Sequence, residues 1–480
     1  MLPSWWYAEA IERRDRSRLS AIALHYDAAS ISSPAHIHAL IAAEHAERVY
    51  AYAAANAFLN VAARNTSTPG ELAEVRVRLA TLAEIVGRFD ETEELCDLAI
   101  EWFVGKGDAR RALVLRRMRE RARKELGQPA RATLEALLSL DVEAQGLGFG
   151  EERVEILMLL SQAYGRLGNP KEAEQIAVES VTVAEATQDP TLLARALNRL
   201  AVTVERAAPQ HAEEIYRRAL AIFEIAGDLR GQARCHNNLG NIAAARNAWQ
   251  DARHSYESSI ALARASGMPD LWGMAATNLG LTFHRSGDYE RAREYHGQAL
   301  ALAAAVRNSE FQLYALYNMA HVEWENHAWE SGAELYEATA SLAQRIGADD
   351  VEIGATAGVG LCRAESDDLT AARSALEWVR ERMTRRGDWF QGREFVEALT
   401  IRILAADGEI DGAVNHLETV LPVAEETELY TAAWLTAVCG RTLLPRARQR
   451  VRPWIMRYAS QVTAFGYADM SKQLNDLLRE

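Results

Sequence analysis

Apolar and small side chains recur along most of the chain at positions i, i+3, i+4 and i+7, which is the spacing of an amphipathic α-helix. The amphipathic stretches come in pairs, and a short turn with a helix breaker separates the two members of each pair. Gly87, Gly127, Gly168, Gly287 and Gly408 are such breakers. Glycine suits this place because the left-handed conformation that ends many helices costs it least. The pattern therefore predicts a series of helix-turn-helix units.

The paired stretches repeat with a period of about 40 residues, within the range of known helical repeats. The segments that begin at Asp251, Arg291 and Ser331 read DARHSYESSIALA, RAREYHGQALALA and SGAELYEATASLA, and they show this step directly. A residue that closes the second helix of each unit, usually apolar or small, recurs with the same period to within one position. These residues are Ile100, Leu140, Val181, Leu220, Ile260, Leu300, Ala340, Arg380 and Leu421. The units near residues 120 and 380 are degenerate, and their register is open by one helical turn.

The period predicts the architecture, because a single amphipathic helix pair cannot bury its apolar stripe and neighbouring units must stack. We expect an all-α fold, a superhelical α-solenoid of about nine helix-turn-helix units with helical caps. Residues 66–428 are predicted to form the solenoid. Residues 1–65 leave the register and are predicted to form an N-terminal cap of two or three helices, and residues 429–480 to form two or three C-terminal capping helices.

One repeat carries a recognisable motif. Residues Leu279 to Leu300 follow the pattern L-G-x-x-x-x-x-x-G-[DN]-[YF]-x-x-A-x-x-x-[YH]-x-x-A-L, which resembles the tetratricopeptide repeat (TPR). The step exceeds the usual repeat of about 34 residues. In this respect it is similar to the repeats of LGN/Pins polarity adaptors, kinesin light chain and the MalT-like sensor regions of bacterial STAND regulators. The resemblance implies a right-handed superhelix whose first helices line a concave groove, but it leaves the partner open.

Composition and charge narrow the functional classes. The net charge of −14 and the pI near 5.5 disfavour direct binding to nucleic acid, which normally requires a basic surface. The sequence has neither a signal-peptide pattern nor an uninterrupted apolar run long enough for a membrane span, so we expect a cytoplasmic protein without membrane insertion. Only four of the 53 basic residues are lysines, a bias toward arginine that fits a GC-rich bacterial genome. The four cysteines lie far apart and are expected to be buried and reduced.

Sequence motifs for catalysis and cofactor binding are not found. The sequence contains no G-x-x-x-x-G-K-[ST], G-x-S-x-G or H-E-x-x-H pattern. The glycine-rich run from Gly146 to Gly150 lies between predicted helices, so it fits an inter-repeat loop better than a dinucleotide site. The twelve histidines show no ligand spacing, and His321 and His327 are six residues apart. We predict no catalytic residue, no cofactor and no metal site, with an enzyme of unrecognised site as a remaining alternative.

The groove is the candidate binding surface. Counting repeat positions from Leu279 and Gly280 places a polar, asparagine-rich and locally basic set of residues on it. This set is Arg195, Asn198, Arg199, Arg234, Asn237, Asn238, Asn241, Asn278, His284, Arg285, Tyr314, Tyr317, Asn318 and His321. Asparagine offers one acceptor and two donors, so a ladder of asparagines can hold the backbone of an extended peptide. The resemblance implies that role for Asn238, Asn278 and Asn318.

The other groove residues would add specificity. The arginines would favour acidic side chains or a terminal carboxylate, and the tyrosines would supply flat apolar contact. A structural alternative stays open for both residue types. The asparagines could instead fix the stacking of adjacent first helices, and the aromatic residues could pack in the core.

Two functional hypotheses follow. The first is a non-catalytic module that binds a protein or peptide, extended or acidic, in its groove. The stretch LSAIALHYDAAS from Leu19 resembles the segment that begins the repeat region of bacterial AAA/STAND regulators. That resemblance implies the sensor of a signalling or transcription-regulating protein with an attached or partner ATPase. The second hypothesis is a stand-alone adaptor that links two partners. An arginine-rich stretch from Arg441 to Arg457 is either a docking patch for an acidic partner or the solvated face of a capping helix.

Overall fold

The computed structural model describes residues 4–14, 18–305, 309–383, 390 and 392–479, and every regular element in these ranges is an α-helix. The 24 helices are α1 (Ser4–Arg14), α2 (Leu19–Ala28), α3 (Ser32–Arg48), α4 (Tyr52–Arg64), α5 (Pro69–Ile85), α6 (Phe89–Gly105), α7 (Ala109–Glu125), α8 (Ala130–Leu147), α9 (Gly150–Arg166), α10 (Pro170–Thr187), α11 (Pro190–Val204), α12 (Pro209–Ala226), α13 (Leu229–Ala245), α14 (Trp249–Ala265), α15 (Pro269–Arg285), α16 (Tyr289–Ala305), α17 (Ser309–Glu325), α18 (Trp329–Ile346), α19 (Asp349–Glu365), α20 (Leu369–Met383), α21 (Arg393–Ala406), α22 (Ile410–Thr427), α23 (Leu429–Ala464) and α24 (Ala468–Arg479). The predicted all-α solenoid is confirmed.

Helices α5 to α22 form nine consecutive pairs within the described ranges, in agreement with the nine units predicted from the period. The packing is local, as expected for a repeat array: α9, for example, packs on α8, α10 and α11. The helices divide into two compact units. One consists of residues 1–242 and 258–271, and the other of residues 243–257 and 272–480.

The turns inside the pairs have the conformation predicted for their glycines. Gly87, Gly168 and Gly287 have φ angles of 78°, 75° and 81°. Asn247 and Asp367 stand at the corresponding position of other repeats and also have positive φ angles, 59° and 62°. The left-handed breaker is therefore confirmed. Because residues other than glycine also adopt it, the conformation is a property of the turn and not of glycine alone.

Small residues allow the two helices of a pair to approach closely. A Cβ atom on Gly280 of α15 would lie 2.7 Å from Cε1 of His296 on α16, a distance that real side chains do not reach. Ala292 on α16 is fully buried. On other second helices, Tyr216 and Tyr336 are fully buried at the position that His296 occupies. These contacts explain why the repeat pattern alternates small and large residues.

The N-terminal region contains four helices, α1 to α4, where the sequence predicted two or three. The break between α3 and α4 has no glycine or proline to mark it. Tyr50 takes a left-handed conformation there, with φ 57°. Helices α3 and α4 pack together through Ala39, Ala43 and Leu59.

The C-terminal helices belong to the second unit and contact helices far from them in sequence. Helix α23 is kinked at Ala447, which has non-helical φ and ψ angles and follows Pro445. The hydroxyl of Tyr289, at the start of α16, donates a hydrogen bond to Asp469 of α24 at 2.6 Å. The rings of Trp249 and Tyr467 also pack, with centroids 5.4 Å apart. These helices therefore do more than cover the last repeat.

Two further expectations from the sequence concern the cysteines and membrane insertion. All four cysteines are free and buried, and burial raises the pKa of the Cys96 and Cys235 thiols to about 12, so they are protonated at neutral pH. In the described part of the chain, no helix combines the length and the apolarity needed to cross a bilayer.

Candidate functional site

The first helices of successive repeats line a cavity of about 460 Å³ in the first unit. Most of its wall comes from the inner faces of α5, α7, α9, α11 and α13, which are the first members of their pairs. Four predicted groove residues, Arg195, Asn198, Arg199 and Arg234, line this cavity.

The cavity is rich in arginine. Its lining includes seven basic and five acidic residues, in a chain whose net charge is −14. The basic residues are Arg117, Arg121, Lys124, Arg195, Arg199, Arg230 and Arg234, and the acidic residues are Glu84, Glu125, Glu155, Asp228 and Asp270. The local balance is therefore opposite in sign to that of the whole chain.

Several of these charges neutralise each other between adjacent first helices. Glu155 of α9 pairs with Arg195 of α11, and its carboxylate lies 3.8 Å from the guanidinium of Arg117 on α7. Lys124 of α7 is 7% exposed, and its ammonium donates a hydrogen bond to Gln162 of α9 at 2.8 Å. Burial lowers the pKa of Lys124. These contacts connect α7, α9 and α11 along the cavity wall.

Arg199 and Arg234 are two cations of the cavity wall that lack a direct ion-pair contact in the described part of the chain. Neither guanidinium forms an ion pair with any residue in the described ranges. The Arg234 side chain keeps contact with solvent through the cavity, yet the surrounding walls lower its pKa to about 10, with contributions from the charges of Arg121 and Arg230. Burial also lowers the pKa of Arg199. A guanidinium without an ion-pair partner gains charge-assisted hydrogen bonds from a bound anion.

The asparagines of α11 and α13 make contacts between helices. Nδ2 of Asn238 donates to Oδ1 of Asn198 at 3.3 Å, and Nδ2 of Asn237 donates to Oδ1 of Asn238 at 3.4 Å. Asn237 is buried, and Asn241 is half-buried further along α13. The contact between Asn238 and Asn198 corresponds to the structural alternative in which asparagine fixes the stacking of first helices.

In the second unit, part of the predicted groove is covered by the chain itself. Tyr317 is buried, and its ring lies 6.1 Å from that of Phe395 on α21. The His321 ring lies 5.0 Å from Phe395 and 5.7 Å from Trp434 of α23. His284 is 4% exposed. The expectation that these side chains face an open groove is therefore wrong in this structure, because Phe395 of α21 and Trp434 of α23 pack against α17.

The other predicted residues of this unit are on the same two helices. Arg285 forms an ion pair with Glu428 at 2.6 Å, and its guanidinium lies over the Tyr430 ring, 5.3 Å from its centroid. Its charge is thus neutralised within the chain. The remaining three, Asn278, Tyr314 and Asn318, are half-buried.

Sequence reasoning missed the basic residues of α7. Arg117, Arg121 and Lys124 belong to the degenerate unit whose register the sequence left open by one turn. Their position is nevertheless visible once the spacing is relaxed. One column of the wall contains Arg117, Glu155 and Arg195. The sequence separation between Arg117 and Glu155 is two residues shorter than that between Glu155 and Arg195. A period shortened by two positions in this unit would have placed Arg117 in the groove.

A group of possible metal ligands lies in the second unit. One ligand atom from each of His284, His321 and Glu325 can be chosen so that all three lie within 4.8 Å of one another. The sequence separation of the two histidines is one repeat length minus about one helical turn. They therefore lie on neighbouring first helices, at heights that bring them together. The pair therefore leaves no closely spaced ligand pattern in the sequence.

Comparisons with known proteins agree with the repeat pattern. The tetratricopeptide repeat family matches residues 152–225 and 231–305, whereas no curated protein sequence matches the chain. One similar solved structure is a Rap protein complexed with competence and sporulation factor (16% identity, 82% of this chain and 100% of that chain, TM-score 0.49). Another is a STAND protein with a tetratricopeptide repeat sensor from Pyrococcus horikoshii (17% identity, 75% of this chain and 49% of that chain, TM-score 0.48). This chain thus spans about half the length of that protein.

Proposed function

We propose that this chain, whose residues 152–225 and 231–305 match the tetratricopeptide repeat family, acts in protein–protein interaction and binds an acidic, extended segment of a protein partner in the cavity of its first unit. The observation that carries this proposal is the pair Arg199 and Arg234. Both guanidiniums line the cavity, and neither has an ion-pair partner within the described ranges. Carboxylates of a bound segment would neutralise both.

The chemistry of the cavity suits carboxylates. A guanidinium presents its donors in a fixed fork that matches the two oxygens of a carboxylate. Arg121 and Arg230 lie close enough to Arg234 to lower its pKa, so the positive field is concentrated on one stretch of the wall. Asn198, the neighbour of Arg199 in the sequence, is half-buried and lines the same cavity.

The dimensions of the cavity wall indicate the length of the segment. Five first helices, α5 to α13, contribute to the wall. Packed helices lie about 8–10 Å apart, so four steps span about 32–40 Å. An extended peptide rises about 3.3 Å per residue, and a segment of about 10–12 residues would therefore span the wall.

The proposal is tested by fluorescence anisotropy with a labelled twelve-residue peptide of alternating glutamate and alanine. A peptide with glutamine in place of glutamate is the uncharged reference. We expect wild-type protein to bind the acidic peptide at least about tenfold more tightly than the reference, since each charge-assisted hydrogen bond contributes about 1.5–3 kcal/mol. The affinity should fall as salt is added, because ions screen exposed charges.

The double variant Arg199→Gln/Arg234→Gln should lose at least about tenfold in affinity for the acidic peptide. Its matched control is Arg217→Gln/Arg218→Gln, which removes the same charge from the exposed face of α12. Equal binding by all three proteins, or equal weakening in both variants, would contradict a role for the cavity.

The finer roles expected from the sequence stay predictions. They are the sensor of a STAND-type regulator, with an attached or partner ATPase, and the stand-alone adaptor that links two partners. The native mass of the protein in its host separates them. A species near 53.2 kDa favours the adaptor, and a much larger polypeptide favours the sensor.

A further inference from the structure

Three side chains of the second unit form a compact buried group. His284 lies on α15, while His321 and Glu325 lie one turn apart on α17. Nε2 of His321 is 3.7 Å from Oε1 of Glu325, and the two histidine rings meet edge to face with their centroids 4.8 Å apart. His284 and Glu325 are 4% and 5% exposed. The three groups thus converge on one small volume, in which only the His321 side chain is partly exposed, at 16%.

The imidazoles of this group have unused polar atoms. Nε2 of His284 and Nε2 of His321 are buried and form no hydrogen bond with any described residue. Buried polar atoms normally have a partner, because leaving them without one is costly. An imidazole nitrogen that lacks a hydrogen-bond partner is available to bind a metal ion.

The surroundings hold the three side chains in place. Trp434 of α23 donates from Nε1 to Oε1 of Glu325 at 2.5 Å, and Gln473 of α24 donates to Oε2 of Glu325 at 3.4 Å. The rings of Phe395 and Trp434 pack edge-on against His321. A hydrogen-bonded carboxylate next to a packed imidazole is the arrangement that orients metal ligands in proteins.

We propose that His284, His321 and Glu325 bind a divalent transition-metal ion of the zinc type. Two imidazole nitrogens and one carboxylate oxygen are a donor set that zinc accepts in tetrahedral geometry, with water in the fourth position. Magnesium and calcium select oxygen ligands and fit this group poorly. Zinc bonds of about 2.0–2.2 Å place tetrahedral ligand atoms about 3.3–3.6 Å apart. The ligand atoms now lie within 4.8 Å of one another, so binding would draw them closer together.

A bound ion would join elements that are distant in sequence. It links α15 to α17 directly, and through the hydrogen bonds of Glu325 it also stabilises the positions of α23 and α24. Because the unfolded chain does not hold the three ligands together, binding would raise the stability of the folded second unit. The site shares no residue with the cavity of the first unit, so the two proposals stand independently.

The full chain, stripped of metal with a chelator and then desalted, tests the site. Titration with Co²⁺ reports coordination through the visible absorption bands of the tetrahedral ion, and addition of Zn²⁺ should abolish these bands. We expect one equivalent of either metal per chain by elemental analysis, and a higher Tm in the presence of Zn²⁺. A wild-type chain that takes up neither ion would overturn the proposal.

Variants identify the ligands. His284→Gln, His321→Gln and Glu325→Gln should each weaken Zn²⁺ binding by at least about tenfold and abolish the Tm increase. His254→Gln, at an exposed histidine of α14, is the matched control and should behave as wild type. Glu325→Gln retains an oxygen acceptor for Trp434, so it separates loss of a ligand from loss of the fold, which circular dichroism monitors. Unchanged affinity in the three ligand variants would refute the assignment.

Discussion

Nε1 of Trp434 donates a hydrogen bond to Oε1 of Glu325 at 2.5 Å, although the two residues are 109 positions apart in the sequence. Trp434 is 1% exposed, and its ring also packs on those of Trp324 and Phe395, with centroids 5.2 and 4.9 Å away. One side chain of α23 thus connects α17 and α21. This contact covers the inner faces that the repeat pattern alone would leave open.

Replacement of Trp434 should strongly destabilise the second unit. We expect Trp434→Ala to cost about 3–5 kcal/mol, since it removes a buried aromatic ring and leaves a cavity. Trp434→Phe should cost about 1–3 kcal/mol, because it keeps an aromatic ring but leaves the buried Oε1 of Glu325 without its donor. Hydrogen exchange at α17 and α23 measures the effect locally, which is necessary because repeat arrays can unfold in parts. The control is Trp6→Ala, which changes a half-exposed side chain of α1. An equal loss of stability in Trp6→Ala and Trp434→Ala would contradict the stabilising role of Trp434.

Glu397 makes the stability of the second unit depend on pH. Its carboxylate accepts hydrogen bonds from His416 at 2.6 Å and from Arg393 at 2.9 Å. Burial acts to raise the pKa of Glu397, but the hydrogen bonds from His416 and Arg393 outweigh it, and the pKa lies below its ordinary value of 4.5. A lowered folded-state pKa contributes stability that is present above the unfolded-state value and is lost as pH falls through the folded-state value. We therefore expect this contribution to decline below pH 4.5.

Urea unfolding between neutral and acidic pH measures this contribution. Glu397→Gln should be less stable than wild type at neutral pH, and the two stability curves should converge as the pH falls below 4.5. Glu409→Gln changes an exposed carboxylate at the start of α22 and should leave the curve unchanged in shape. Parallel curves for wild type and Glu397→Gln would show that this carboxylate does not cause the dependence.

The contact between Gly280 and His296 tests the requirement for a small residue between paired helices. Gly280→Ala places a methyl group against a fully buried ring, and we expect a loss of about 1–3 kcal/mol from overpacking. Gly297→Ala lies inside α16, where an added Cβ meets no other atom within 4 Å, and it should gain about 0.5–1 kcal/mol. Chemical denaturation of both variants measures the change in the free energy of unfolding. A change of the same sign in Gly280→Ala and Gly297→Ala would be inconsistent with the packing described.

Asn238 separates the peptide-ladder hypothesis from the structural alternative. Asn238→Ala removes the hydrogen bond to Asn198 and should lower the free energy of unfolding by about 0.5–1.5 kcal/mol. If Asn238 mainly fixes the stacking of α11 and α13, its replacement should change the affinity for the acidic peptide by less than about twofold. Anisotropy titrations beside the Arg199→Gln/Arg234→Gln variant make the comparison. A loss as large as that of the arginine variant would instead support the asparagine ladder.

Much of the local structure could be predicted from particular residues. Gly87 and Gly287 mark turns because a left-handed residue must end the first helix of a pair, and the repeat period places the small residue Gly280 opposite a large one. The break at Tyr50 could not be predicted in this way, because nothing in its residue type requires a positive φ angle. The basic residues of α7 were missed for a related reason, since a shift of two positions in one degenerate unit moves every position on the helix face.

The sequence by itself determined the helix pairs, their turns and the repeat stacking, because these depend on contacts within about one period of the chain. Only the tertiary structure decided which inner faces stay open. Arg199 and Arg234 line a cavity in the first unit, whereas His321 in the second unit is covered by Trp434. The physical reason is that burial at an inner face depends on which apolar helix packs across it. A contact between residues 109 positions apart leaves no periodic signal in either segment.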